Sequence, residues 1–161
     1  MSATAPAPPP LPDGLRPLDA DEEAVMRSLG RFLRVMPRVL SADLEREQRM
    51  TSSEYATLRH LSESRCGTLR MSELAQACDM SLSGMTRLAD KLESLGYLRR
   101  IKCADDARGS NAVLTEKGLA RLQEAWPTHL ASVRRHIFDH LEGIDLAKLA
   151  TAFNEIANDA G

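Results

Sequence analysis

Residues 68–114 read TLRMSELAQACDMSLSGMTRLADKLESLGYLRRIKCADDARGSNAVL, and this stretch decides the fold. Two short helical patterns sit close together inside it. In the first, Ser72 stands at a cap position, and Leu74, Ala75 and Cys78 fall on one side. In the second, Ser81 stands at a cap position, and Met85, Leu88, Leu92 and Leu95 form the inward row. Each capping hydroxyl can accept from a free amide of its first turn. Asp79 and Met80 lie between the two patterns, the length of a helix-turn-helix joint. Gly96 is placed to end the second helix in the left-handed conformation.

The residues after Gly96 extend the motif. Tyr97 to Cys103 alternates, with Leu98 and Ile101 set among Arg99, Arg100 and Lys102. A polar turn from Ala104 to Ser110 carries Asp105, Asp106, Arg108 and Gly109, and Val113 and Leu114 follow it. The pattern predicts two basic strands around a charged turn, a hairpin projecting from the domain. Thr68 to Arg70 is a candidate third strand. A helix-turn-helix followed by such a hairpin is a winged helix.

The ordered series MSELAQACDMSLSGMTRLADKLESLGYLRR, then Asp106-Ala107-Arg108, then LTEKG resembles the MarR family of bacterial transcription regulators. The resemblance extends from about Glu22 to Asn158. It implies a mainly α winged helix-turn-helix with long N- and C-terminal helices forming a dimerisation region and a small β-hairpin wing. It also implies a homodimer that binds pseudo-palindromic double-stranded DNA, often released by a small ligand.

The chain has 161 residues, enough for one domain with a real core, and 43% of them are apolar. No apolar run approaches a membrane span. The start, MSATAPAPPPLPDG, lacks a basic head and an apolar block, so a cytoplasmic address is expected. The net charge of −2 argues against indiscriminate nucleic-acid binding. Its distribution is more telling: Arg87, Lys91, Arg99, Arg100, Lys102 and Arg108 gather in the central stretch, while acids gather near both ends. The three cysteines, Cys66, Cys78 and Cys103, contain no C-x-x-C pair and predict no disulfide framework.

Outward from the motif, residues 1–18 carry six prolines and read as a disordered tail. A long helix is predicted from Asp19 to about residue 48, with a kink at Pro37. Thr51-Ser52-Ser53-Glu54 caps a further helix with Tyr55, Leu58 and Leu61 inward, ending by Ser64. After Thr115, Leu119, Leu122, Trp126, Leu130, Val133, Ile137 and Leu141 recur at helical spacing, with Pro127 bending the helix. Gly143 then breaks the chain before a last helix carrying Ile144, Leu146, Leu149, Phe153 and Ile156. Segments 19–48 and 116–161 expose more apolar surface than the winged domain at 49–115 can cover. Burial against a second copy is the expected solution.

The inward row of the second motif helix leaves Ser83, Gly84, Thr86, Arg87, Asp90 and Lys91 outward. That face, with Ser81, is what a recognition helix over 81–95 would offer to the major groove. Arg87 has a fork that fits guanine, whereas Lys91 is better suited to the backbone. Arg99 and Lys102 add charge within the wing, 98–114. Arg108 at the wing turn is expected in the minor groove, with Asp106 holding its direction, as the resemblance implies. Gly84 and Ala107 stand where many relatives carry a larger residue and a second arginine. Direct readout and wing affinity are therefore expected to be thinner, with DNA shape supplying part of the specificity.

Rival signals remain. His136 and His140 have metal-ligand spacing, with Asp139 beside them, and are weak candidates for a metal site. Redox-sensing relatives place a reactive cysteine near the start of the first long helix, and this chain has none there. Effector-binding relatives use a crevice between the dimer helices and the winged domain, where Arg34, Arg38, Tyr55 and His60 would suit a phenolic carboxylate. No catalytic or phosphate-loop motif is present, so neither an enzyme nor a cofactor is expected. The expected function is sequence-specific transcription regulation, as a repressor. The alternatives are a winged-helix interaction module without DNA binding, or a metal- or thiol-responsive regulator.

Overall fold

The structure is a computed structural model describing residue 12, residues 14–102 and residues 110–159. The chain divides into two compact units, residues 1–37 and 38–161. Helix α1 (Ala20–Gln48) runs through Pro37, where that division falls. Its start is a reciprocal cap. Asp19 Oδ1 accepts from the amides of Asp21 and Glu22, and Glu22 Oε2 accepts from the amide of Asp19. Within this first unit Val25, Met26, Phe32, Leu33 and Val35 are exposed.

The second unit holds the winged helix. Thr51 and Glu54 form the expected capping box at the start of α2 (Ser52–Glu63), with distances of 2.8 and 3.2 Å. Tyr55, Leu58 and Leu61 of α2 are buried as expected. Strand β1 (Thr68–Arg70) leads into α3 (Met71–Ala77), then come α4 (Leu82–Ser94), β2 (Leu98–Lys102) and β3 (Ser110–Leu114). The sheet is antiparallel in the order β1-β3-β2, so Thr68–Arg70 is indeed a third strand. Helix α5 (Glu116–His136) and, after a 3₁₀ turn at Phe138–His140, α6 (Leu146–Asp159) complete the unit. The core gathers Leu44, Leu58, Leu61, Leu74, Met85, Leu92, Leu98 and Ala125 around α2.

Several local expectations are corrected. Ser72 does not cap α3. The helix begins at Met71, whose side chain is buried, and Glu73 Oε2 accepts from the Arg70 amide at 3.0 Å. In α4 the buried row is Met85, Ala89 and Leu92, while Leu88 is half-buried and Leu95 is exposed. Leu95 is the C-cap residue, where the chain already turns toward Gly96 (φ 75°). Strand β3 carries no basic residue, so of the two hairpin strands expected to be basic only β2 is.

The stripe assigned to the helix after Thr115 merges two faces. Gly118, Leu122, Ala125 and Ser132 of α5 are buried, while Leu119, Trp126 and Leu130 are exposed. The helix also ends at His136 rather than continuing to Leu141, so His140 is not one turn on along the same helix.

One close approach fixes the base of the wing. Thr115 caps α5 through the Gly118 amide, and its hydroxyl lies 2.7 Å from the carbonyl oxygen of Gly96. A Cβ at Gly118 would sit 2.0 Å from the Tyr97 carbonyl oxygen. Gly118→Ala therefore has to push β2 away from α5. It should cost about 2–3 kcal/mol and lower Tm by roughly 5–10 °C. An unchanged melting curve contradicts this packing.

Candidate nucleic-acid interface

Helix α4 is positioned by its cap and its buried row. Ser81 Oγ accepts from the Gly84 amide at 3.1 Å. With Met85, Ala89 and Leu92 inward, Ser83, Thr86, Arg87, Asp90 and Lys91 lie on the exposed side, and Gly84 is half-buried. The hydroxyls are partly engaged. Ser81 Oγ lies 3.2 Å from Ser83 Oγ, and Thr86 donates to the Leu82 carbonyl at 2.8 Å. Thr86 thus presents a methyl and an acceptor lone pair rather than a free donor.

The cations of the region divide into two groups. Among the described residues, Arg87, Arg99 and Lys102 are exposed and make no ion pair. Arg100 is committed internally. It reaches Asp90 Oδ1 at 2.6 Å and Glu93 Oε2 at 2.7 Å, and its amide donates to Glu93 Oε1 at 2.8 Å. That amide and the guanidinium hold the Glu93 carboxyl below its ordinary range. The network fastens β2 to α4 and neutralises Asp90 on the outward side. Sequence reasoning misses this role, since nothing in the spacing distinguishes Arg100 from Arg99.

Lys91 is engaged by an acid of α2. Its ammonium lies 2.5 Å from Oε1 of Glu54, whose side chain is only 6% exposed. Burial pushes the Glu54 carboxyl up, but the hydrogen bonds from Lys91 and from Thr51 outweigh it and leave it below the ordinary range. Asp106 and Arg108, with Cys103, lie outside the described residues.

The other candidates fall elsewhere. Tyr55 is buried and stacks on His129, with ring centroids 4.5 Å apart. Among the described residues, Tyr55 Oη and His129 Nδ1 are the buried side-chain polar atoms without a hydrogen-bond partner. Burial first, and then Arg59, hold the His129 imidazole below its ordinary pKa. His60 is half-buried with Nε2 3.3 Å from Arg59, and Arg38 is exposed. Arg34 is an exposed residue of the first unit. The sequence does not mark His129 as an effector candidate, because its partner Tyr55 is 74 positions away.

His136 Nε2 faces Asp43 Oδ2 at 3.2 Å, an oxygen that also accepts from Ser132 at 2.6 Å and Arg135 at 2.7 Å. The Ser132 hydrogen bond outweighs burial and, with Arg46 and Arg135, holds the Asp43 carboxyl far below its ordinary range. Among the described residues, no group of three His, Cys, Asp or Glu is placed to hold a metal ion. Cys66 and Cys78 are free thiols, and burial pushes the Cys78 thiol up, away from thiolate chemistry.

An exposed, cap-anchored helix beside a cationic wing strand defines a winged helix-turn-helix protein. The sequence profile of the MarR family matches residues 50–109. AbsC, a MarR family transcriptional regulator from Streptomyces coelicolor, is 36% identical, with 91% of this chain and 98% of that chain covered and a TM-score of 0.79. Sco3205, another from Streptomyces coelicolor and solved in complex with DNA, is 32% identical, with 92% of each chain covered and a TM-score of 0.79. BldR from Sulfolobus solfataricus shares the fold at 23% identity and a TM-score of 0.71, with 88% of this chain and 99% of that chain covered. No curated protein sequence matches. The chain belongs to the MarR family of transcription regulators. Among the described residues, no helix is long and apolar enough to cross a membrane.

Proposed function

We propose that the protein is a cytoplasmic repressor that binds a pseudo-palindromic duplex as a homodimer, with α4 in the major groove and the wing in the minor groove. The observation that carries this reading is the outward face of α4, where Arg87 stands exposed beside Ser83 and Thr86, with Arg99 and Lys102 on β2. Segments 49–115 then form the DNA-binding domain, and 19–48 and 116–161 the dimerisation region. Exposed apolar side chains support a second copy. Leu119, Trp126 and Leu130 lie on α5, and Leu146, Phe153 and Ile156 on α6, which has no buried residue. An interaction module without DNA binding fits less well, because exposed cations stand on both α4 and β2. Duplex selected from a random pool should contain an inverted repeat, and the free protein should have the mass of two chains in light scattering. A monomer, or a pool that stays random, contradicts the reading.

Within that complex Arg87 reads a base edge and Arg108 enters the minor groove. Arg87→Ala and Arg108→Ala should each weaken binding, and the salt slope should fall by about one unit for every phosphate the side chain had neutralised. Arg87→Ala should also relax discrimination at one base pair by about 1–3 kcal/mol. A slope and selectivity equal to wild type remove the residue from the interface.

Release by a small phenolic ligand is favoured by the two unpartnered polar atoms of Tyr55 and His129, which would be satisfied by a phenol or carboxylate oxygen. Salicylate should lower affinity for the selected duplex, and Tyr55→Phe should weaken that response roughly tenfold. Binding that ignores millimolar salicylate contradicts the choice of a phenolic ligand.

A further inference from the structure

We infer that Lys91 acts as a positioning residue for the recognition helix: it is held by the buried carboxylate of Glu54 rather than spent on a DNA phosphate. The inference rests on the DNA-binding reading and deepens it.

The geometry separates Lys91 from the other outward residues of α4. Its ammonium is 2.5 Å from Glu54 Oε1, while the second oxygen, Oε2, accepts from the Thr51 amide at 2.8 Å. One carboxylate therefore serves two tasks, closing the cap of α2 and fixing the outward side of α4. Glu54 is buried, and Lys91 is its ion-pair partner among the described residues, so its charge is left uncompensated if Lys91 leaves. Moving the ammonium to a phosphate would strand that charge. The lysine end is 58% exposed, so the pair rests on the burial of the Glu54 end.

The joint is continuous with the ends of the long helices. A cavity of about 260 Å³ is lined by Glu54, Lys91, Leu92, Tyr97, Gln48 and Arg121, among others. Gln48 closes α1, and its side chain meets Arg121 and Thr128 of α5 at 3.0 and 2.8 Å. Arg121 also donates to the Gln48 backbone carbonyl. Glu54 thus anchors α4 at the corner where α1, α2 and α5 meet. Leu92 packs α4 at this corner, and Lys91 is the α4 side chain that meets Glu54 there, helping to set the tilt of the recognition helix.

The two roles predict opposite signs for one substitution. Glu54→Gln keeps an acceptor for the Thr51 amide and removes only the charge that holds Lys91. If Lys91 positions the helix, Glu54→Gln lowers affinity for the selected duplex. If Lys91 binds phosphate, Glu54→Gln frees it and raises affinity. We expect Lys91→Met and Glu54→Gln each to weaken binding roughly tenfold, with the salt slope of wild type retained. Lys91→Arg, which can still reach Glu54, should bind like wild type.

Should Lys91→Met fold poorly, the double variant Glu54→Gln with Lys91→Met leaves no unpaired charge and gives the same readout. It should bind no more weakly than either single variant. A gain in affinity for Glu54→Gln, or a drop of about one unit of salt slope in Lys91→Met, overturns the positioning role while leaving DNA binding intact. A wild-type protein that binds no duplex removes both the regulator reading and this inference with it.

Discussion

The burial of Met85, Ala89 and Leu92 sets the phase of α4, and the rest of the interface follows from that phase. A helix advances about 100° per residue, so once this row is inside, Ser83, Thr86, Arg87 and Lys91 must be outside. The magnitudes explain why the core decides. Burying each large apolar side chain contributes about 1.5–3 kcal/mol, whereas a well-made base contact discriminates by about 1–3 kcal/mol. Rotating α4 to improve one contact would expose the row and lose several kcal/mol. The outward face is therefore a consequence of packing, and its chemistry is whatever the sequence supplies there.

Charge is distributed on the same logic. Arg100 and Lys91 are held by carboxylates of the protein, the first on β2 and the second on α4. Each fastens one element to another. Arg87, Arg99 and Lys102 are left exposed, on the side where the proposed duplex would lie. A chain of net charge −2 can in this way present a cationic face without being basic as a whole.

Caps and turns are legible in the sequence because their chemistry is local. Thr51, Ser81 and Thr115 each accept from an amide three residues on, and Gly96 adopts the left-handed conformation. Long-range pairings are not legible. Glu54 and Lys91 stand 37 positions apart, and nothing in either neighbourhood announces the other. The inward row of α5 is blurred for a different reason. That helix is apolar on two sides, so one periodicity count mixes Leu122 with Leu119 and Trp126. Ser72 misleads because a serine one residue inside a helix looks like a cap until the burial of Met71 is known.

For the proposed regulator to work, two such α4 faces must meet one duplex at a spacing fixed by the protein. Hydroxyl-radical footprinting of the protein on its selected duplex tests that arrangement directly. Two equal protected windows related by two-fold symmetry are predicted, with centres about one helical turn, or 10 base pairs, apart. A single asymmetric window, or protection spread evenly along the duplex, would contradict it.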